Sequence, residues 1–246
     1  MKKKRLDDIL LERGNVETKQ EAFILVTEGR VLANGQKTVS PAQIFALDAR
    51  IEVKTDSGYV GRGAFKLEGA MQHFGVSTEG MICADIGAAT GGFTEILLKY
   101  GAAKVYAIDT AQGKLALKIR QNPKVVVMER TDVRHLESLL EKISLAVIDV
   151  SLISLKEILL ATARLLEDHG QVIALLKPQY ETRDAALLRN GIIEDAVARE
   201  SIRDDMLEWA EKNSWQVLSW MESPIKGSEG NVEYLLHLTK NLESGI

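Results

Sequence analysis

A glycine-rich turn between an apolar run and a helical run constrains the fold of this 246-residue chain more than any other feature. The run Met81–Ala84 leads into Asp85 and the turn Gly87–Gly92, and a helical pattern follows from Phe93 to Lys99. A strand, a tight turn and a helix in this order are typical of the nucleotide-binding end of a doubly wound α/β sheet. The segment therefore predicts an α/β domain whose ligand site lies at this turn.

The spacing of the glycines indicates which ligand the turn accepts. The turn has neither the Gly-Lys-Ser/Thr ending of a phosphate-binding loop nor the second glycine of the dinucleotide fingerprint, which argues against a nicotinamide-dependent oxidoreductase. Asp85 would repel a pyrophosphate but suits a cationic or zwitterionic ligand. S-adenosylmethionine, with its sulfonium and amino groups, fits this charge. The predicted cofactor-binding residues of the segment are Asp85, Gly87, Ala88, Ala89, Thr90, Gly91, Gly92 and Phe93.

Apolar strand-like runs alternate with helical patterns over residues 60–246, which predicts a seven-stranded, mostly parallel, Rossmann-like sheet. The predicted strands are Met81–Asp85, Lys104–Asp109, Val125–Glu129, Leu145–Asp149, Val172–Lys177, Trp215–Met221 and Glu233–Thr239. Ligands bind at the carboxyl ends of parallel strands. Asp109 is therefore placed to accept hydrogen bonds from ribose hydroxyls, and Asp132 from an adenine amino group. A solvated carboxylate is the alternative interpretation of Asp109.

Four further charged residues indicate a reaction. Lys66 opens a predicted helix, Asp149 and Lys177 end strands, and Glu233 begins the last strand. Burial of a lysine after an apolar run favours its neutral form, which can accept a proton from a hydroxyl. We expect Lys177 to be this base, with Lys66 and Asp149 orienting it and Glu233 positioning the substrate or a lysine. Asp149 is also a predicted cofactor-binding residue.

Structural ion pairs are the alternative for these charges. Lys66 could pair with Glu68, and Lys177 with Glu181, while Glu233 could cap or pair at a strand edge. The glycines and asparagine that precede Glu233 predict a flexible loop, a lid over the substrate.

Residues 1–59 predict a smaller module and a linker. Leu6, Ile9 and Leu10 have helical spacing before Gly14, and Thr18 with Glu21 forms a capping-box pattern at the start of a second helix. The dipeptide Asn34-Gly35 then predicts a β-hairpin, and the alternation over Ile51–Lys54 predicts a strand. The linker is expected around Thr55–Tyr59.

The pattern R-L-D-x-x-L from Arg5, with V-x-x-G-R-V-x-x-N-G over residues 26–35, resembles the S-four-type RNA-binding module. This resemblance implies that the module docks on structured RNA through basic side chains. The matching candidates are Arg5, Arg13, Lys19, Arg30 and Lys37. For each of them a solvated surface charge is the alternative.

Five phrases in the rest of the chain resemble the TlyA, or haemolysin A, family. They are G-R-G-A-x-K-L, D-I-G-A-A-T-G-G-F-T, D-V-S-L-I-S-L, L-L-K-P-Q-Y-E and S-P-I-x-G-x-x-G-N-x-E-Y. That family joins an S-four-type module to an FtsJ-type methyltransferase with a Lys-Asp-Lys-Glu tetrad. The resemblance implies S-adenosylmethionine-dependent 2′-O-methylation of cytidine in ribosomal RNA, free or in ribosomal subunits. Leu152 and Thr110 depart from the family pattern, where phenylalanine and glycine are usual.

Composition excludes several other classes of protein. The single cysteine rules out a disulfide framework, and the four histidines lack metal-ligand spacing, so we expect no metal site. No secretory signal or apolar span is present, which argues against membrane lysis and favours a cytoplasmic protein. Over residues 1–40, eight Lys/Arg stand against six Asp/Glu, too slight an excess to indicate nucleic acid by itself. A non-catalytic RNA-binding protein with an inactive methyltransferase fold stays open as an alternative.

Overall fold

A computed structural model of the protein describes residues 3–27, 29–53, 58–227 and 229–241. The chain divides into two compact units, Met1–Arg62 and Gly63–Ile246. Lys54 of the predicted strand and residues 55–57 of the predicted linker lie outside the described residues.

The first unit is a small α/β module. Its elements are β1 (Lys3–Arg5), α1 (Leu6–Glu12), α2 (Lys19–Thr27), β2 (Val31–Ala33), β3 (Gln36–Lys37), β4 (Ile44–Ala46) and β5 (Ile51–Val53). Strands β1 and β4 pair with each other, and β3, β2 and β5 form an antiparallel sheet. Both helices pack on a shared core, and its buried members are Leu6, Leu10, Val16, Ala22, Val26 and Val31.

Local sequence signals account for the helix start and the turn of this module. The Thr18 hydroxyl accepts a hydrogen bond from the Glu21 backbone N–H at 3.1 Å, so Thr18 caps α2 as predicted. The Glu21 carboxylate accepts from the N–H of Glu17 rather than from that of the cap. Asn34 and Gly35 have φ values of 51° and 78°, the left-handed pair of a tight hairpin between β2 and β3.

The second unit contains a seven-stranded sheet with connecting helices, as predicted. Its strands are β6 (Ile82–Ile86), β7 (Lys104–Asp109), β8 (Val125–Glu129), β9 (Ile143–Ile148), β10 (Leu166–Leu176), β11 (Trp215–Glu222) and β12 (Tyr234–Lys240). Its α-helices are α3 (Gly63–Phe74), α4 (Gly92–Lys99), α5 (Leu117–Arg120), α6 (Leu155–Thr162), α7 (Pro178–Glu181) and α8 (Ala196–Lys212). Two short 3-10 helices cover Val133–His135 and Ala185–Leu187.

The sheet order is β11-β12-β10-β9-β6-β7-β8. The five strands from β10 to β8 are parallel, while β12 is antiparallel to both of its neighbours. The order reverses between β6 and β9, and parallel α/β sheets bind ligands at such a switch point. Strand β10 begins earlier than predicted, at Leu166, because a polar stretch and a register shift before Gln171 hide its first part in the sequence.

The core of this unit is formed by the central strands and the helices that pack on them. Ala84, Ala146, Ile148, Val172 and Ala174 are buried on β6, β9 and β10. Strands that are buried on both faces read as continuous apolar runs, which is why the central strands were visible in the sequence.

Candidate active site

The glycine-rich turn joins β6 to α4 and passes close to the backbone after β9. Gly87 has a φ of +87°, and a Cβ at this position would lie 2.3 Å from the Asp149 carbonyl oxygen. The Gly87 and Ala88 N–H groups both donate to the Ile108 carbonyl at the end of β7. A glycine is therefore required at position 87, and its close approach joins the ends of three neighbouring strands.

Asp85 is buried beneath this turn, with no exposed surface. Its Oδ2 accepts from the backbone N–H of Thr94 at 2.8 Å and from the Thr94 hydroxyl at 2.6 Å. Its Oδ1 has no hydrogen-bond partner within the protein. Burial, with smaller contributions from the nearby carboxylates of Asp149 and Asp109, raises the pKa of Asp85 to about 7, although the hydrogen bonds from Thr94 act to lower it. In this geometry Asp85 acts on the turn by holding Thr94 at the start of α4.

A cavity of about 690 Å³ lies at the carboxyl ends of β6, β7, β8 and β9, and we call it the main cavity. Of the predicted cofactor-binding residues, Gly87, Ala89, Asp109, Asp132 and Asp149 line it. Asp85, Ala88, Thr90, Gly91, Gly92 and Phe93 are outside the described lining. Lining residues that sequence reasoning missed include Lys114, Thr131, Val133, Arg134, Ser151 and Ile153.

Two of the acids in the main cavity are fixed by hydrogen bonds. The Asp109 carboxylate accepts from the N–H of Ala89 at 2.8 Å and from the N–H of Ala111 at 2.7 Å, so it supports the turn itself. Asp132 caps the 3-10 helix that follows β8, and the Arg134 guanidinium contacts both of its carboxylate oxygens. The hydrogen bonds from Arg134 lower the pKa of Asp132, so this carboxylate remains an ionised acceptor.

The four charged residues predicted to carry the reaction form two ion pairs. Lys66 Nζ lies 2.5 Å from Glu233 Oε2, and Lys177 Nζ lies 2.6 Å from Asp149 Oδ1. Lys66 and Glu233 are 8% and 3% exposed, so their pair is almost fully buried. Lys177 also donates to the Ser151 hydroxyl at 3.0 Å.

The alternative partners of these lysines are engaged elsewhere. Glu68 pairs with Lys99 at 2.8 Å. Glu181 accepts from the Ser154 hydroxyl and from the Leu155 N–H, both at 2.6 Å, and burial raises its pKa. Ion pairing of Lys66 with Glu68 and of Lys177 with Glu181 was therefore the wrong alternative.

A small pocket of about 50 Å³ adjoins Lys177, and we call it the lysine pocket. Its lining is Ser151, Lys177, Gln179, Tyr180, Gly227, Glu229, Asn231 and Glu233. Ser151 lines both this pocket and the main cavity, so the two spaces border the same residue. Space for a small polar group beside Lys177 is thus adjacent to the large ligand cavity.

The loop before Glu233 is held in place by a buried asparagine. Asn231 is 2% exposed; its Nδ2 donates to the Gly191 carbonyl at 2.9 Å and its Oδ1 accepts from the Ile193 N–H at 3.2 Å. The sequence predicted a flexible lid here. The described part of the loop is instead anchored to the connection after β10, because both ends of the Asn231 amide are bonded.

Arg5, Lys19 and Arg13, three of the candidate RNA-binding residues, contact groups of the small module as follows. Arg5 binds Asp7 at 2.7 Å, and Lys19 pairs with Asp8 at 2.8 Å. Arg13 donates to the carbonyls of Leu47 and Ala49, so its side chain links two parts of the module by hydrogen bonds. Lys37 is exposed on β3, beyond the hairpin turn. Arg30 precedes β2 and is partly buried.

The residues that the structure describes contain neither a metal-holding cluster nor a membrane-spanning helix. Among those residues no cluster of histidine, cysteine or carboxylate side chains is arranged to hold a metal ion. None of the helices described is long and apolar enough to cross a membrane.

Comparison with known proteins places this geometry among RNA methyltransferases. Residues 59–240 match the family model of the FtsJ-like methyltransferases. The chain is 37% identical to the 16S/23S rRNA (cytidine-2′-O)-methyltransferase TlyA of Mycobacterium tuberculosis, with 98% of this chain and 92% of that one covered. It is also 37% identical to Hemolysin A of Brachyspira hyodysenteriae, with 95% and 98% covered. A solved structure from Streptococcus thermophilus, described as a candidate hemolysin, is 38% identical and superposes with a TM-score of 0.75 over 98% of this chain and 90% of that one.

Proposed function

The chain belongs to the TlyA, or haemolysin A, group of FtsJ-like methyltransferases, and from this premise we propose that it methylates a ribose 2′-hydroxyl of ribosomal RNA. The observation that carries the proposal is the Lys177–Asp149 pair at 2.6 Å, because Asp149 lines the main cavity and Lys177 lines the lysine pocket. A donor held in the cavity and a hydroxyl held at the lysine would be neighbours there. The names of relatives support cytidine as the methylated nucleoside.

The main cavity fits S-adenosylmethionine in size and in charge. Its volume of about 690 Å³ is within the range of small-molecule sites. Asp109 supplies negative charge for a sulfonium or an amino group, and Asp132 and Asp149 supply further acceptor oxygens, although Arg134 and Lys177 pair with them. Ile108, Val133 and Ile153 supply apolar surface for an adenine ring. When bound, S-adenosylmethionine supplies an electrophilic methyl group. Asp109 would accept from ribose hydroxyls and Asp132 from the adenine amino group.

The lysine pocket would hold the acceptor hydroxyl. A ribose hydroxyl is a weak nucleophile until its proton is transferred, and Lys177 is the base we propose for that proton. Asp149, at 2.6 Å, would stabilise and orient the ammonium that results. The Lys66–Glu233 pair would fix the opposite wall of the pocket, where Glu233 lines it. Fixed charges at a buried site stabilise a transition state without reorganising during the reaction.

The small module would supply the docking surface for ribosomal RNA or a ribosomal subunit. Phosphate contacts from Lys37, Arg30, Lys19 and Arg5 would dominate the affinity and make it sensitive to salt, while Arg13 would serve to hold the module together. A cytoplasmic location, where ribosomal RNA is found, forms part of the same proposal.

One experiment tests the proposal directly. The protein is incubated with methyl-labelled S-adenosylmethionine and with either rRNA or ribosomal subunits, and the labelled nucleotide is mapped. We expect one or a few labelled ribose 2′-positions, no label with Lys177→Ala, and full label with Lys212→Ala, an exposed lysine on α8. Absence of label in every RNA, together with normal binding of S-adenosylhomocysteine, would favour an inactive methyltransferase fold. Full label by Lys177→Ala would overturn the assignment of the base.

A further inference from the structure

One loop forms a wall of the main cavity and is held at both of its ends by the same short segment. The loop is residues 149–154, between β9 and α6, and we call it the wall loop; all six of its residues line the cavity. At its start, Asp149 pairs with Lys177, which immediately precedes α7. At its end, Ser154 donates its hydroxyl proton to Glu181, the last residue of α7.

Both carboxylate oxygens of Glu181 accept hydrogen bonds at the end of the wall loop. Oε2 accepts from the Ser154 hydroxyl and Oε1 from the backbone N–H of Leu155, the first residue of α6, both at 2.6 Å. Ser154 in turn caps α6 by accepting from the Lys156 N–H. Hydrogen bonds to a charged acceptor at a helix N-terminus are among the stronger ones in proteins. The carboxylate therefore fixes the exit of the wall loop.

The two anchors are connected by a stiff spacer. Lys177 and Glu181 are separated by the single turn of α7, which begins with Pro178 and so has its first φ angle preset. A shift of α7 would move both anchors together, and a loss of the Glu181 anchor would free the loop at one end only. The distance between the wall loop and the Lys177 amine therefore depends on the Asp149–Lys177 anchor and on the Ser154–Glu181 anchor.

Glu181 itself does not touch the space where the reaction would occur. It is outside the lining described for the main cavity and the lysine pocket, and it faces a separate cavity of about 290 Å³ beside α8. Any effect of Glu181 on methyl transfer must therefore pass through the wall loop or through α7 itself.

We infer that Glu181 is a positioning residue that holds the wall loop, and with it Asp149 and Ser151, in place against Lys177. The inference rests on the proposed function, since it concerns the geometry of that same site. Misplacement of reacting groups by about 1 Å can lower a rate on the order of a hundredfold. Glu181 would thus control turnover although it contacts neither the cofactor nor the RNA.

The test separates positioning from simple helix capping. Glu181→Ala and Glu181→Gln are compared with the wild type and with Glu200→Gln, an exposed carboxylate on α8, at a temperature where all four are folded. For Glu181→Ala we expect kcat to fall about tenfold or more with an unchanged KM for RNA. Faster amide hydrogen exchange is expected in the wall loop. Glu181→Gln, which keeps one acceptor and can donate to Ser154, is expected to recover most of kcat.

A second variant guards against an unfolded Glu181→Ala protein. Ser154→Ala keeps the bond from Leu155 and removes only the hydroxyl, so a smaller loss of kcat, about threefold, is expected. A wild-type kcat in both variants, with only a lowered melting temperature, would reduce Glu181 to a helix cap and overturn the inference. Failure of the wild type to methylate RNA or to bind S-adenosylhomocysteine would instead overturn the proposed function, while hydrogen exchange would still report whether Glu181 fixes the loop.

Discussion

The Lys66 ammonium and the Glu233 carboxylate, 167 residues apart in the chain, lie 2.5 Å apart in the second unit. Helix α3 supplies the lysine, and the residue just before β12 supplies the carboxylate. A Cβ on Gly227 would lie 2.6 Å from Glu233 Oε1, so the neighbouring loop packs closely against the pair. The pair therefore joins the beginning of the unit to its end at one wall of the lysine pocket.

Breaking this pair from one side is expected to destabilise the fold. Lys66→Met or Glu233→Leu leaves one charge buried without its partner, which costs about 3–5 kcal/mol of unfolding free energy. The double variant leaves no unpaired charge and is expected to recover much of that loss, but not methyl transfer. Urea denaturation and a single-turnover assay measure the two effects. A double variant no more stable than the worse single variant would contradict the pairing, and one with wild-type activity would remove the pair from the site.

Gly87→Ala is expected to disrupt the main cavity. The new Cβ would meet the Asp149 carbonyl oxygen at 2.3 Å, and φ is +87°, so backbone must move in addition to the strain of a left-handed alanine. Gly75→Ala is the matched control, because φ there is +66° and no atom lies within 4 Å. We expect Gly75→Ala to lose only about 1–2 kcal/mol of unfolding free energy. Gly87→Ala should lose clearly more unfolding free energy than Gly75→Ala. It should also lose binding of S-adenosylhomocysteine, which calorimetry measures. Equal losses at the two positions would refute the steric argument.

Asp85 is expected to give a pH dependence of stability opposite to that of an ordinary carboxylate. Its folded pKa of about 7 lies above the ordinary 3.8, so the folded state binds the proton more tightly than the unfolded state. The contribution of protonated Asp85 to the unfolding free energy is therefore fully present below about pH 4 and is lost as the pH rises through about 7. Asp85→Asn cannot ionise and can still accept from Thr94. The unfolding free energy of Asp85→Asn should exceed that of the wild type by about 2–4 kcal/mol at pH 8 and by little at pH 4.

Denaturant titrations at the two pH values check this difference. Asp168→Asn, at an exposed position, serves as the control. A gap between Asp85→Asn and the wild type that is the same at both pH values would show that Asp85 does not titrate in this range.

Lys37→Ala is expected to weaken RNA binding without affecting the cofactor site. Loss of one phosphate contact should reduce the slope of log affinity against log salt by about 1, while the affinity for S-adenosylhomocysteine stays the same. Arg13→Ala is a useful contrast, because Arg13 holds two carbonyls of its own module and its loss should lower the melting temperature. Filter binding at several salt concentrations measures the slope. An unchanged slope for Lys37→Ala would remove Lys37 from the RNA surface.

Much of the architecture was predictable because its signals are local. Apolar runs marked the parallel strands, so the buried strand β7 and the partly buried edge strand β8 have the predicted bounds. Thr18 and Asn34-Gly35 bear the hydrogen bonds and dihedral angles that their residue types favour. The charged residues at strand ends were predictable for the same reason, since Asp149 and Lys177 each follow an apolar run.

The pairing of those charges was decided only by the tertiary structure. A glutamate within a few residues was a chemically reasonable partner for each lysine. The choice of Glu233 and Asp149 instead depends on sheet order and on the close approach of distant segments. No periodicity or spacing in the sequence indicates three other features of the site. These are the hydrogen bonds from Thr94 to the buried Asp85, the anchoring of Asn231 and the two anchors of the wall loop. The sequence by itself determined the strands, the turn and the kinds of chemical group at the site. The packing of the sheet determined which of those groups meet, because hydrogen bonds and ion pairs depend on distances that the order of residues does not contain.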